Sequence, residues 1–290
     1  MSFALFLEQL LNGVQLGVML FLMSAGLTLV FGIMNLINLA HGSLYMLGAF
    51  FAAAVANASG SFLLGVAVAL PATALVGAGL EILLLRRFYN RSHLDQVLVT
   101  FGLILVFNEL VRLVWGPVPL RFALPPALNG SIEIWAGVPY PAFRLVVLAV
   151  GVAVALVLYL VIMHSRIGMW IRAGASNRPM ASALGVDVEL VFVLVFAAGA
   201  ALAGLAGLMA GPILAVQVGM GEPVLILAFV VTVIGGIGSV KGALVAALGI
   251  GIIDTFGRVL LSPALGSMVI FLAMAVILAW RPKGLFPVHG

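Results

Sequence analysis

Cysteine is missing from this chain altogether, which excludes disulfides, thiolate metal sites and cysteine nucleophiles. Charge is scarce too. Asp, Glu, Lys and Arg together supply 8% of the 290 residues, against roughly 25% in a soluble domain. None of the four occurs between Glu8 and Glu81. Such a chain cannot clothe a water-facing surface, and its length says little about the number of soluble domains because its solvent is lipid. Catalytic signatures are also wanting. There is no HExxH zinc motif and no GxSxG nucleophile elbow. Asp254 is the only aspartate deep in an apolar run, so an intramembrane aspartyl pair lacks its second member. Without a GxxxxGK[ST] loop the chain does not bind ATP in that manner, and any ATP that drives it is bound by another subunit. The start, Met1-Ser2-Phe3-Ala4, has no basic n-region; the apolar run behind it reads as a first span that is retained.

What is present is hydrocarbon. Apolar residues make up 64% of the chain, and the mean hydropathy is +1.33. The apolar runs are continuous and rich in Leu, Ala, Val and Gly, whereas barrel strands alternate every second residue. Only elements that satisfy their own backbone survive in lipid, so the pattern predicts an all-α polytopic bundle. Apolar spans are expected at about 9–33, 43–58, 62–85, 95–115, 144–164, 189–212, 223–240, 242–260 and 264–281. That gives eight or nine membrane segments in one domain, some of them half-helices.

Arginine placement orients the bundle. Arg86, Arg87 and Arg91, then Arg166, Arg172 and Arg178, then Arg281 and Lys283 follow three of these spans. All three clusters fit the cytoplasmic side, which accounts for the net charge of +4 without invoking nucleic acid. Residues 116–143 then form an external cap rich in proline, with Trp115, Trp135 and Tyr140 as expected interfacial anchors. An echo runs through the chain at an offset of about 200 residues: Asn35-Leu-Ile-Asn38-Leu-Ala-His41-Gly42 corresponds to Gly235-Gly-Ile-Gly238-Ser239-Val-Lys241-Gly242. Paired interruptions of this kind point to a transport path between discontinuous helices; chance similarity among glycine-rich stretches is the alternative.

Three constellations bear on chemistry. Asn35, Asn38 and Gly42 would share one face of a continuous helix, with His41 offset. These residues either line a polar constriction or hydrogen-bond helices together. The second is the loop at 165–188, where Ser176 or Asn177 is placed to cap a short helix with Pro179 in its first turn and Gly185 past its end. Such a helix either docks into a groove on a soluble partner or rests on anionic lipid. The third is a set of intramembrane charges. Glu109 with Arg112, and Asp254 with Arg258, fall at pairing distance on a helix and either line a path for a zwitterion or neutralise each other. Lys241 and Glu222 lie near expected span ends and are expected to snorkel. Gly13-xxx-Gly17, Ala203-xxx-Gly207-xxx-Gly211 and Gly238-xxx-Gly242 allow close helix packing.

The blocks Gln9-Leu-Leu-Asn12-Gly13, Ala25-Gly-Leu-Thr28-Leu-Val-Phe31-Gly32, and Asn35 through Gly48-Ala49 resemble the shorter permease of the branched-chain amino acid ABC transporters. The loop residues Ser165-Arg166-Ile-Gly168, Arg172-Ala173, Asn177, Ala181 and Leu184-Gly185-Val186 are similar to that family as well, as are Ala203 to Gly207 and Gly235 to Ala243. The resemblance implies an importer in the bacterial inner membrane. A periplasmic binding protein would deliver solute to two permease subunits, the second identical or a sister chain. Two cytoplasmic ATP-binding subunits, using ATP and Mg, would drive alternating access, with no cofactor on this chain. It further implies that the 176–185 helix couples to an ATPase, involving Arg166, Arg172, Ser176, Asn177, Arg178, Ala181, Leu184 and Gly185. Asn35, Asn38, His41, Gly42, Gly238 and Ser239 would lie near the path. Relatives differ around Leu39 and Ser43, and the family also imports urea, short amides and aromatic acids. An ion-coupled carrier using Asp254 or Glu109 is the reading from another class.

Overall fold

The computed structural model describes residues 2–121, 124–135 and 138–287. Among them, eleven α-helices carry the fold. Seven are long and apolar enough to cross a membrane: α1 (Phe3–Met34), α2 (His41–Ser59), α3 (Phe62–Leu83), α4 (His93–Trp115), α5 (Ala142–His164), α8 (Val188–Ala210) and α10 (Val240–Leu260). Two apolar helices are shorter, α9 (Gly221–Gly235) and α11 (Pro263–Trp280). At 1.5 Å per residue α9 spans only about 22 Å, less than the ~30 Å hydrocarbon core. The expectation of eight or nine membrane segments with half-helices among them holds.

Local signals account for where the helices begin. Ser2, Ser61, Ser92 and Ser239 accept hydrogen bonds from the first-turn amides of α1, α3, α4 and α10, and Asp187 does so for α8. Packing is by glycine. A methyl group added at Gly26 would lie 2.6 Å from the Gly199 carbonyl oxygen, and one at Gly17 would lie 2.8 Å from that of Ala247. Gly48 and Gly204 likewise bring the backbones of α2 and α8 together. In lipid, where burial of apolar surface no longer drives association, such close approach supplies the packing energy. Gly238 and Gly242 permit close approach as well, though not along one helix: Gly238, in the joint before α10, meets Gly32 of α1, and Gly242 meets Gly235 at the end of α9.

The region after α5 corrects the sequence reading. Instead of one short helix in a loop there are two, α6 (Arg166–Ser176) and α7 (Arg178–Ala183). Ser165 caps the first through the Gly168 amide, 3.0 Å away. Asn177, not Ser176, caps the second through Met180, also at 3.0 Å. Pro179 is in the first turn of α7, and Gly185 follows its end with φ +85°.

The 116–143 cap is more regular than expected. β1 (Ser131–Trp135) pairs antiparallel with β2 (Val138–Pro141), and Leu120 bridges to Val216. Tyr140 is fully buried, and Trp115 packs on Phe50 and Phe51. The side chain of Trp135 lies outside the described residues.

Candidate functional site

Residues 35–40 break the helix rather than lying on one face of it. α1 stops at Met34, Asn35 adopts the left-handed conformation (φ 53°), and α2 begins at His41. Asparagine is one of the few non-glycine residues that enters this region readily. The break separates the residues expected on one face: Asn35 is exposed, whereas Asn38, His41 and Gly42 are buried.

Depth can be read along α1. Arg178 on α7 donates to the Ile33 carbonyl, which places the end of α1 on the arginine-rich side. Arg144 donates to Asn12 near the other end; from Asn12 to Met34 the helix rises about 33 Å, close to the bilayer core. His41 Nε2 meets the Met23 carbonyl at 3.2 Å, and Met23 is about 16 Å from the end of α1. α2 therefore starts in the middle of the membrane, and residues 35–40 climb back into it. The Ile37 amide donates to Gln96 Oε1 at 3.3 Å on the way.

A second re-entrant stretch mirrors this. After α8, residues 211–220 turn inward until α9 begins at Gly221, whose backbone abuts that of Gly42. The N-termini of α2 and α9 thus meet inside the bilayer. Neither has a side-chain cap: Ala40 and Met220 stand at the positions where all the other α-helices except α5 carry Ser, Asn or Asp. Asn38 Nδ2 and Oδ1 and His41 Nδ1 are buried there without a hydrogen-bond partner. Of the two sequence readings, His41 fits helix–helix bonding through Met23, while the Asn38 side chain bonds no helix.

The site residues expected from sequence therefore form two groups. His41, Gly42 and Asn38 belong to the buried junction. Asn35, Gly238 and Ser239 lie at the arginine-rich end, where Gly238 meets Gly32 and Ser239 caps α10. This second break, between α9 and α10, is closed by the tail, whose Leu285 and Phe286 amides donate to the Ile234 and Gly235 carbonyls. Both halves of the echo thus sit at helix joints, but at different depths.

On the arginine-rich face, Arg172 donates to the Ile162 carbonyl and ties α6 to α5. Arg166, Ser176, Asn177, Leu184 and Gly185 are exposed, and Ala181 is buried against the bundle. Met180 and Leu184 project as exposed apolar side chains. Nearby, the buried Glu81 carboxylate accepts from Arg86 Nε at 3.3 Å and from the Tyr89 hydroxyl at 2.6 Å. Arg86 also reaches Glu189 on α8 at 2.7 Å. Burial, and then the bond to Glu81, push the Tyr89 phenol well above its ordinary pKa, so it stays a donor. Sequence reading overlooked this cluster; Glu81 just ahead of Arg86 and Arg87 was its only visible trace.

A family model for the permease component of branched-chain amino acid transport systems matches residues 9–278. The chain belongs to that permease family. The family chain is 31% identical over 304 aligned residues to LivH of Escherichia coli K12, a high-affinity branched-chain amino acid transport system permease protein, covering 98% of this chain and 96% of the relative. It is 30% identical to BraD of Pseudomonas aeruginosa, which carries the same description, covering 97% and 95%. A probable branched-chain amino acid transport permease of Methanocaldococcus jannaschii is 25% identical over 86% of this chain and 80% of its own length. No solved structure matches the chain. The permease is thus a multi-pass membrane protein of a transport system, and its relatives are transport subunits rather than enzymes.

Proposed function

We propose that this permease is one of two membrane subunits of an ATP-driven importer that carries branched-chain amino acids across the bacterial inner membrane by alternating access. The observation that carries the reading is the join between α7 and the end of α1. α7, which with its C-cap Leu184 presents exposed apolar side chains at Met180 and Leu184, also holds, through Arg178, the Ile33 carbonyl just before the 35–40 break. A partner that pushes on α7 moves that break.

Exposed apolar side chains on a charged face mark a protein contact, and α7 with α6 is the surface offered to a cytoplasmic ATP-binding subunit that uses ATP and Mg. Arg166 and Arg172 frame this surface, Asn177 and Gly185 set the ends of α7, and Ala181 seats it. A periplasmic binding protein would dock on the 116–143 cap, and the second permease would complete the path. Within this chain the path runs past the buried junction of Asn38, His41 and Gly42 and reaches the cytoplasm between Asn35, Gly238 and Ser239. The membrane carboxylates considered for ion coupling, Glu109 and Asp254, are each bonded to an arginine on the same helix, which favours ATP over an ion gradient as the energy source.

The test is leucine uptake into proteoliposomes that contain the permease pair and its ATP-binding subunits, with the binding protein supplied outside and ATP inside. Uptake that requires ATP and the binding protein supports the reading. Uptake that an uncoupler abolishes and ATP depletion leaves intact overturns it.

A further inference from the structure

Glu222 is out of place for a lipid-facing surface. It occupies the first turn of α9, next to Gly221, and its side chain is exposed. α9 ends at Gly235, whose carbonyl is held by the C-terminal tail on the arginine-rich side. Counting back along the helix puts Glu222 about 20 Å from that boundary, and so about 10 Å inside the opposite one. Its hydrogen-bond partner Asn108 is about 22 Å along α4 from His93, by the same count. A glutamate side chain is too short to reach the interface from that depth, so the expectation that Glu222 snorkels fails. Ionised side chains at such depth face a water-filled cavity or protein, not hydrocarbon.

Three other carboxylates of the spanning helices are compensated. Glu81 has Arg86, Glu109 has Arg112 and Asp254 has Arg258. Glu222 has the Asn108 amide at 2.7 Å, and among the described residues no cation lies at ion-pair distance. The α9 N-terminus offsets part of the charge, worth about half an elementary charge at most. What remains is an oriented carboxylate, open on one side, that lacks a positive partner.

An independent observation at nearly the same depth points the same way. Across the Gly42–Gly221 contact, His41 faces the Met23 carbonyl with Nε2. In the neutral ring the proton is then on Nε2, and Nδ1 is left as an acceptor. That atom and both amide atoms of Asn38, the acceptor Oδ1 and the donor Nδ2, are buried and unmatched. Unmatched acceptors in a dry interior are costly, and donors from a passing ammonium would satisfy them.

We propose that Glu222, oriented by Asn108, binds the α-ammonium group of the transported amino acid at the junction of α9 with α2. Asn38 and His41 Nδ1 offer the next acceptors along the path. This deepens the importer reading and rests on it. The site selects for an amine: a branched apolar solute without one has nothing to offer Glu222.

The experiment compares wild type, Glu222→Gln, Glu222→Asp and Asn108→Ala in the complete reconstituted importer, with leucine uptake and basal ATP hydrolysis measured on the same vesicles. Loss of one charge-assisted contact predicts at least about a tenfold fall in uptake for Glu222→Gln. Glu222→Asp keeps the charge and recovers most of that loss. Asn108→Ala leaves the carboxylate in place and raises the KM for leucine severalfold at near-normal kcat; it carries the test if Glu222→Gln does not assemble. Uptake by Glu222→Gln within twofold of wild type overturns the site, as does an unchanged KM in Asn108→Ala. A wild-type complex that fails to import leucine with ATP overturns the importer reading itself, and this inference with it.

Discussion

Arg178 and Ile33 connect the arginine-rich surface to the end of α1. The Arg178 guanidinium on α7 donates to the Ile33 carbonyl in the last turn of α1 at 3.0 Å, while its Cζ sits 4.9 Å from the centre of the Phe192 ring on α8. The carbonyls at a helix C-terminus carry partial negative charge, which a cation there stabilises. Two residues on, Asn35 turns into the left-handed region and the chain leaves the helix. α7 thus grips the break at its root.

Breaking that grip should uncouple the motor from the gate. A hydrogen bond involving a charged group contributes about 1.5–3 kcal/mol, so Arg178→Ala should reduce leucine uptake by about tenfold or more, with membrane insertion and basal ATP hydrolysis retained. Arg178→Lys keeps the charge and should recover part of the activity. Normal uptake in Arg178→Ala would remove Arg178 from the coupling route.

The Asn38 side chain is buried without a partner, which separates its structural and transport roles. An unsatisfied buried amide costs about 1–3 kcal/mol, so Asn38→Leu should leave the melting temperature unchanged or raise it. If Asn38 serves the path, uptake should fall nonetheless. Equal loss of stability and transport would instead show that the amide bonds helices together.

Glu81 is fully buried and depends on Arg86 for its charge partner. Removing one member of a buried pair leaves the other uncompensated, at a cost of about 3–5 kcal/mol. Arg86→Ala should therefore lower the thermal stability of the detergent-purified protein markedly. Glu189→Ala, at the exposed end of the same cluster, should change it by less than about 1 kcal/mol. Thermal melts of the two variants side by side make the comparison.

Gly48 and Gly79 offer a matched contrast within the membrane. A methyl group at Gly48 would run into the Gly204 backbone, whereas one at Gly79 meets nothing within 4 Å. Gly48→Ala should destabilise the α2–α8 contact and reduce the yield of folded protein. Gly79→Ala should be neutral or slightly stabilising, because alanine is the better helix former by about 1 kcal/mol. Size-exclusion profiles after mild heating would distinguish them.

The bundle was legible because lipid imposes a simple rule: long uncharged runs must be helices. Caps written in local chemistry were legible too, as Asn177, Pro179 and Gly185 show for α7. α6 was not, because an arginine- and glycine-bearing stretch among loop residues lacks the apolar run that marks a span. The depth of His41 and Glu222 was equally hidden. A break in hydropathy shows where a helix stops, while only the contacts of His41 with Met23 and of Gly42 with Gly221 show how far the chain returns into the membrane. Asn35, Asn38 and Gly42 share one face only in a continuous helix, and the left-handed turn at Asn35 removes that premise.

An external ATPase acting through α7 is proposed to drive solute through this permease. This is tested most directly by leucine uptake in the reconstituted system with Met180 and Leu184 both changed to Asp. These exposed side chains contribute little to the fold, so the permease should still insert and pair while co-purification of the ATP-binding subunits and ATP-dependent uptake are lost together. Retained co-purification with full ATP-driven uptake would contradict the account.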